Sequence, residues 1–188
     1  MAHLLGIDSN VWTYLLQANS GQYDPFTDPD QKLAKERVAA YRIFLYQPVL
    51  SVVPRVSKEI EAIPDPKLRE EHERLRDILL HEIHHLDEHL VEAKAREFER
   101  YHCTGKKALK DCYVVAEAEL GGLAVLLTFD SDLRKDLVRR TQSLQLKAPS
   151  EYWSELQVPY GTPPKWSPHT TNPLYKERWW RWDGPSRY

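Results

Sequence analysis

Leu4-Leu5-Gly6-Ile7-Asp8-Ser9-Asn10 opens on a short apolar run that climbs to one acidic residue and stops. Ser9 and Asn10 are residue types that begin helices, and Val11, Trp12, Leu15 and Leu16 then recur at helical spacing. The stretch reads as a buried strand, an Asp at its carboxyl end, and a helix. Ala124-Val125-Leu126-Leu127-Thr128-Phe129-Asp130 repeats that grammar. If the two strands are parallel neighbours, Asp8 and Asp130 share one edge of a sheet. In open α/β sheets that edge is where ligands bind.

Working outward, Pro48 to Val53 reads as another buried strand. Pro54 suits the first turn of a helix whose inward face carries Val56, Ile60 and Ile63. A helix is predicted over about 30–46, another over about 108–120 ended by Gly121-Gly122, and a short one from Ser131 or Asp132 to about Arg139. Ser143 to Lys147 reads as an edge strand, and 151–156 as a helical turn or two; 19–29 and 101–107 read as loops. Between 65 and 100, Leu75, Leu79, Ile83, Leu86 and Leu90 step by 4, 4, 3 and 4, an amphipathic stripe with a break expected near His84–Glu88. The expected fold is α/β, a three-layer sandwich around a parallel sheet of four to five strands flanked by helices.

Length suits one domain, set here at 1–156, with an appendage at 157–188. That appendage holds Trp166, Trp179, Trp180 and Trp182, many prolines and an excess of Lys and Arg. It reads as an irregular arm that folds onto its own domain or a second copy's, with stacking on RNA as the rival. The net charge of −2 gives no global basic field, so any polyanion contact is local. Cys103 and Cys112 fit neither a disulfide scaffold nor a zinc site and read as free thiols. No apolar run approaches the roughly 20 residues that span a bilayer, and the expected location is cytoplasmic.

The chain offers two more acids to the same edge. Glu59 lies in the helix after the Pro48–Val53 strand, with Glu61 as the alternative. Asp111 sits on the face of its helix shared by Val114, Val115 and Ala118, where a carboxylate needs a cation. Asp8, Glu59, Asp111 and Asp130 together would be four like charges, tolerable with metal bound or with raised pKa values. Oxygen donors without His or Cys favour Mg²⁺ or Mn²⁺. Glu117 and Glu119 point away from the Asp111 face and read as surface. His81, His85 and His89 at i, i+4 and i+8 read as a solvent-facing ladder. Lys106, Lys107, Lys110, Arg134, Lys135, Arg139 and Arg140 flank the acids and are candidates for phosphate contact.

The order Asp8, Glu59, Asp111, Thr128-Phe129-Asp130 resembles the PIN domain, the ribonuclease fold of VapC-type toxins. Three stretches carry the likeness: Leu5-Gly6-Ile7-Asp8-Ser9-Asn10-Val11, Asp111-Cys112-Tyr113-Val114-Val115-Ala116-Glu117-Ala118, and Leu127-Thr128-Phe129-Asp130-Ser131-Asp132-Leu133. The resemblance covers roughly 3–148. It implies Mg²⁺- or Mn²⁺-dependent hydrolysis of RNA phosphodiester bonds, with Asp8 and Asp111 as first ligands. Asp130 would bind directly or through water, Glu59 would ligate or orient the water, and Asp132 is a spare at the rim. Ser9 and Thr128 would support the ligands by hydrogen bonds. For a toxin, it implies a protein antitoxin covering the acidic edge. The alternative is a PIN-like scaffold that binds RNA or protein without cutting.

Overall fold

Leu5, Gly6 and Ile7 form a strand, β1, buried at all three positions. The structure, a computed structural model, describes residues 4–21, 29–46, 49–83, 86–102, 108–159, 162–167 and 170. Four more three-residue strands join β1: β2 (Leu50–Val52), β3 (Leu80–Glu82), β4 (Val125–Leu127) and β5 (Gln145–Lys147). Their order is β3-β2-β1-β4-β5 and every pairing is parallel. Gly6 is level with Ser51 on one side and Leu126 on the other. A Cβ on Gly6 would meet Leu123 Cδ1, so a side chain under the central strand requires Leu123 to shift.

The helices are α1 (Ser9–Asn19), α2 (Gln31–Tyr46), α3 (Pro54–Glu61), α4 (Pro66–Leu79), α5 (Glu88–Glu99), α6 (Ala108–Leu120), α7 (Ser131–Leu137) and α8 (Pro149–Glu155). The fold is the α/β class expected, with a five-stranded parallel sheet flanked by helices. Its contacts divide it into two units, 1–9 with 49–147 and 10–48 with 148–188.

The first unit holds the sheet and α3 to α7. α5 buries Val91, Ala95 and Phe98 as it packs along α6. α6 closes with Gly122 at φ +73°: Gly122 N–H donates to Glu119 O at 3.1 Å and Leu123 N–H to Ala118 O at 3.0 Å. That pair of bonds satisfies the last carbonyls and turns the chain straight into β4.

In the second unit α2 packs on α8. Glu36 accepts bonds from Ser150 N at 2.8 Å and Ser150 Oγ at 2.6 Å, and Tyr46 meets Trp153 with ring centroids 5.3 Å apart. The described start of the arm lies on the end of α2. Lys165 N and Trp166 N both donate to Leu45 O, Tyr46 OH donates to Thr162 O, and Trp166 is 6.1 Å from the Phe44 ring. Trp179, Trp180 and Trp182 lie outside the described residues.

The segment from 65 to 100 departs from the expected stripe. Residues 80–82 leave the helix and pair with β2, Val52 level with Glu82. Leu90, the end of the stripe, is 58 % exposed. The histidine ladder is not one helix face either: His81 is in β3, His89 is in α5, and His85 lies outside the described residues.

Candidate metal centre

The strand order 3-2-1-4-5 reverses direction between β1 and β4, the point at which open α/β sheets leave a crevice at their carboxyl ends. Two of the sequence-predicted acids border that point. Asp8 follows β1, is 8 % exposed, and donates its backbone N–H to Leu127 O at 3.1 Å. Just after β4, Thr128 is fully buried, and its Oγ1 accepts the Asp130 backbone N–H at 3.0 Å, which sets the turn that carries Asp130.

Asp130 is also the N-cap of α7. Its carboxylate accepts from Asp132 N at 2.9 Å and Leu133 N at 2.8 Å, and both bonds fall on Oδ1. Oδ2 is left for another partner, so capping and cation binding are compatible in one side chain. Asp132 is exposed in the first turn of α7, and Ser9 is the half-buried first residue of α1.

Glu59 and Asp111 are linked through a lysine. Lys110 Nζ lies 3.0 Å from Glu59 Oε1, joining α3 to the first turn of α6, where Asp111 is half-buried. Glu61 is instead exposed and pairs with Arg76 at 3.6 Å. Arg134 Nε donates to Asp130 O at 3.3 Å. Lys106 and Lys107 lie outside the described residues. Cys112, beside Asp111, is fully buried, and burial first, then the Asp111 and Glu99 charges, pushes its thiol up to about 12. It is no nucleophile.

The donors therefore suit a hard cation. All are carboxylates, and an ammonium already rests against Glu59. Among the described residues no three of His, Cys, Asp and Glu are gathered as a metal cage. Mg²⁺ does not require one: it keeps several waters and takes one or two carboxylates together with substrate phosphate.

Glu117 and Glu119 overturn the surface reading. Glu117 is 5 % exposed, and its Oε2 accepts the Arg55 backbone N–H at 2.6 Å. α3 starts after Val53 with no side-chain cap of its own, so a carboxylate from α6 satisfies its first free donor. Glu119 Oε1 accepts the backbone N–H groups of Gln142 and Ser143, and Lys94 lies 3.5 Å from its other oxygen. Glu117 is buried and Glu119 half-buried because the backbone needs an acceptor there. The signal in the sequence was Glu117 set between Ala116 and Ala118, three residues after Val114.

Burial holds the Glu117 carboxyl above its ordinary range, with Glu59 adding to the rise and Arg55 and Lys58 opposing it. A raised folded value contributes stability that is fully present below the unfolded value and is lost as pH rises through the folded one. Glu117→Gln keeps an oxygen for Arg55 N and removes the titration. Its melting temperature relative to wild type is expected to be higher at pH 8, with the difference shrinking towards pH 4. A difference constant across pH would mean that burial of the charge is not what sets it.

The family model of the PIN domain matches residues 6–136. The chain belongs to the PIN domain family. The match takes in Asp8, Glu59, Asp111 and Asp130, and PIN domains are typically nucleases that use divalent metals. No curated protein matches this PIN-domain chain. Among the described residues no helix is long and apolar enough to cross a membrane.

Proposed function

We propose that this PIN-domain protein is a Mg²⁺- or Mn²⁺-dependent endoribonuclease whose acids are Asp8, Glu59, Asp111 and Asp130. The observation that carries the reading is the meeting of Asp8 and the Thr128–Asp130 turn at the switch point, joined by the Asp8 N–Leu127 O bond of 3.1 Å. Asp8 and Asp111 would hold the ion first, with Asp130 binding directly or through water. When bound, a divalent ion would supply an activated water and offset charge on the scissile phosphate. Glu59 would ligate the ion or orient the water. Thr128 and Ser9 keep the ligands in place, while Lys110 and Arg134 meet the phosphate. Asp132 at the rim is the reserve ligand.

The test is linkage. An ion that binds only the folded state at 100 times its dissociation constant stabilises by about 2.7 kcal/mol. For a chain of this size that is a rise in melting temperature of roughly 5–10 °C. The rise is expected with Mn²⁺ and expected to vanish in Asp111→Asn. A rise that survives Asp111→Asn would remove Asp111 from the ligand set.

A second reading, an RNA-binding PIN scaffold that does not cut, draws on the absence of a closed three-ligand group among the described residues. RNA bound without Mn²⁺-dependent cleavage would favour it. For a toxin of the VapC type, the antitoxin would have to cover the carboxyl edge, since that denies access to ion and RNA together.

A further inference from the structure

A cleft of about 450 Å³ opens beside Glu117, among the start of α3, the end of β3, the first turns of α5 and the middle of α6. Its inner wall combines two features. Glu117 is buried, with its one hydrogen bond on Oε2 and none on Oε1. The Arg55 guanidinium lies over the Tyr113 ring at 4.4 Å, a flat cationic and aromatic surface. Among the described residues Glu117 Oε1 has no hydrogen-bond partner, so an unused acceptor sits on the wall of a cleft large enough for a nucleoside.

The charge of the lining argues against phosphate as the occupant. Glu82, Glu88, Glu92 and Glu117 stand there against Arg55 and Lys58. A base has no charge to be repelled, and every base has a face to stack on the Arg55 guanidinium that Tyr113 backs. Guanine alone sets two adjacent donors, N1–H and N2–H₂, beside an acceptor, O6. A carboxylate complements the two donors of that edge. Glu117 also feels the charge of Glu59, the residue after the cleft's Lys58 on α3.

The geometry points to a base-recognition subsite, resting on the ribonuclease reading: the cleft takes a splayed guanine of single-stranded RNA, with Glu117 reading its N1–H and N2–H₂ edge and the Arg55 guanidinium, backed by Tyr113, stacking on its face. Glu117 is then a specificity residue, apart from the acids that hold the ion.

The test measures binding of short single-stranded RNAs by the full chain carrying Asp8→Asn, to prevent cutting. The oligonucleotides differ at one position: guanine, inosine, adenine or uracil. A carboxylate reading two donors is expected to favour guanine by roughly 5- to 100-fold over adenine. Inosine, which lacks the 2-amino group, is expected to fall between them. Glu117→Gln in the same background is expected to level the series, with its folded state checked by melting. Tyr113→Leu is expected to weaken all four alike. Binding without base preference, or a preference that survives Glu117→Gln, overturns the inference and leaves the nuclease reading standing. No binding of any RNA overturns the nuclease reading itself, and this inference with it. An Arg-rich peptide bound through Glu117, with RNA preference unchanged in Glu117→Gln, would assign the cleft to a protein partner and overturn the inference.

Discussion

Asp8→Asn is expected to reduce Mn²⁺-dependent RNA cleavage by roughly 10²- to 10³-fold, the scale of loss when one preorganised electrostatic group is removed. Asparagine has the same shape and keeps a carbonyl oxygen, so the backbone at the β1–β4 junction has no reason to move. What it loses is the negative charge. Asp8 is 8 % exposed and shares the switch point with Asp130. On the proposed gathering of the four acids, removing one like charge relieves repulsion. The melting temperature in EDTA is therefore expected to equal or exceed that of wild type. Activity lost with stability kept separates chemistry from folding, and fluorescent-RNA cleavage beside thermal denaturation measures both. Intact cleavage in Asp8→Asn would remove the site from this edge of the sheet.

The second large effect is on stability. Phe98→Ala is expected to cost about 3–5 kcal/mol, as large-to-small changes at fully buried aromatic positions do. Phe98 is fully buried in α5, on the stripe with Val91 and Ala95 that packs along α6. Lys94 lies 4.9 Å from its ring centroid, and its carbonyl accepts from Tyr101 N at 2.9 Å and His102 N at 3.0 Å. The side chain thus anchors the helix pair, while the Phe98 backbone carbonyl, kept in either variant, closes the turn out of α5. Against a usual folding stability of about 5–15 kcal/mol, the loss would leave a marginal protein. Urea denaturation of Phe98→Ala and Phe98→Leu measures it, with the leucine variant expected to lose less because it leaves a smaller void. A cost below about 1 kcal/mol in the alanine variant would show that the α5–α6 interface can collapse around the gap.

β1 and β4 were legible because each is an unbroken apolar run ending in one acid before a helix pattern, and the structure pairs them as that reading required. α6 was legible to the residue at its end, since Gly121-Gly122 permits the left-handed turn that closes it. β3 was not. Three residues are too few for strand alternation to show, and Leu79 and Ile83 either side of it fit helical spacing equally well. The pairing of Leu80 with Leu50 decides the conformation, and that is information from thirty residues away. Glu117 and Glu119 were misread for a related reason. A carboxylate is normally on the surface, and only the uncapped start of α3 and the Gln142–Ser143 turn explain these two inside. At the candidate centre, the order of the four acids could be read from the chain. The lysine against Glu59 and the capping role of Asp130 could not, since each depends on a neighbour set by the fold.

The central position of β1 bears on how the chain is made. Its two neighbours in the sheet arrive late: β2 ends at Val52, and β4 ends at Leu127. At translation rates of about 5–20 residues per second, β4 is synthesised roughly 6–24 s after β1. Until then Leu5 to Ile7 has one flank without its native partner, and the α1-α2 segment is threaded between the first two strands. Neither unit is continuous along the chain: the first is complete only once residue 147 exists, and the second draws on residues after it. The arrangement ties assembly of the Asp8–Asp130 edge to the synthesis of β4, and a ribosome-bound fragment stopped before β4 would lack that edge.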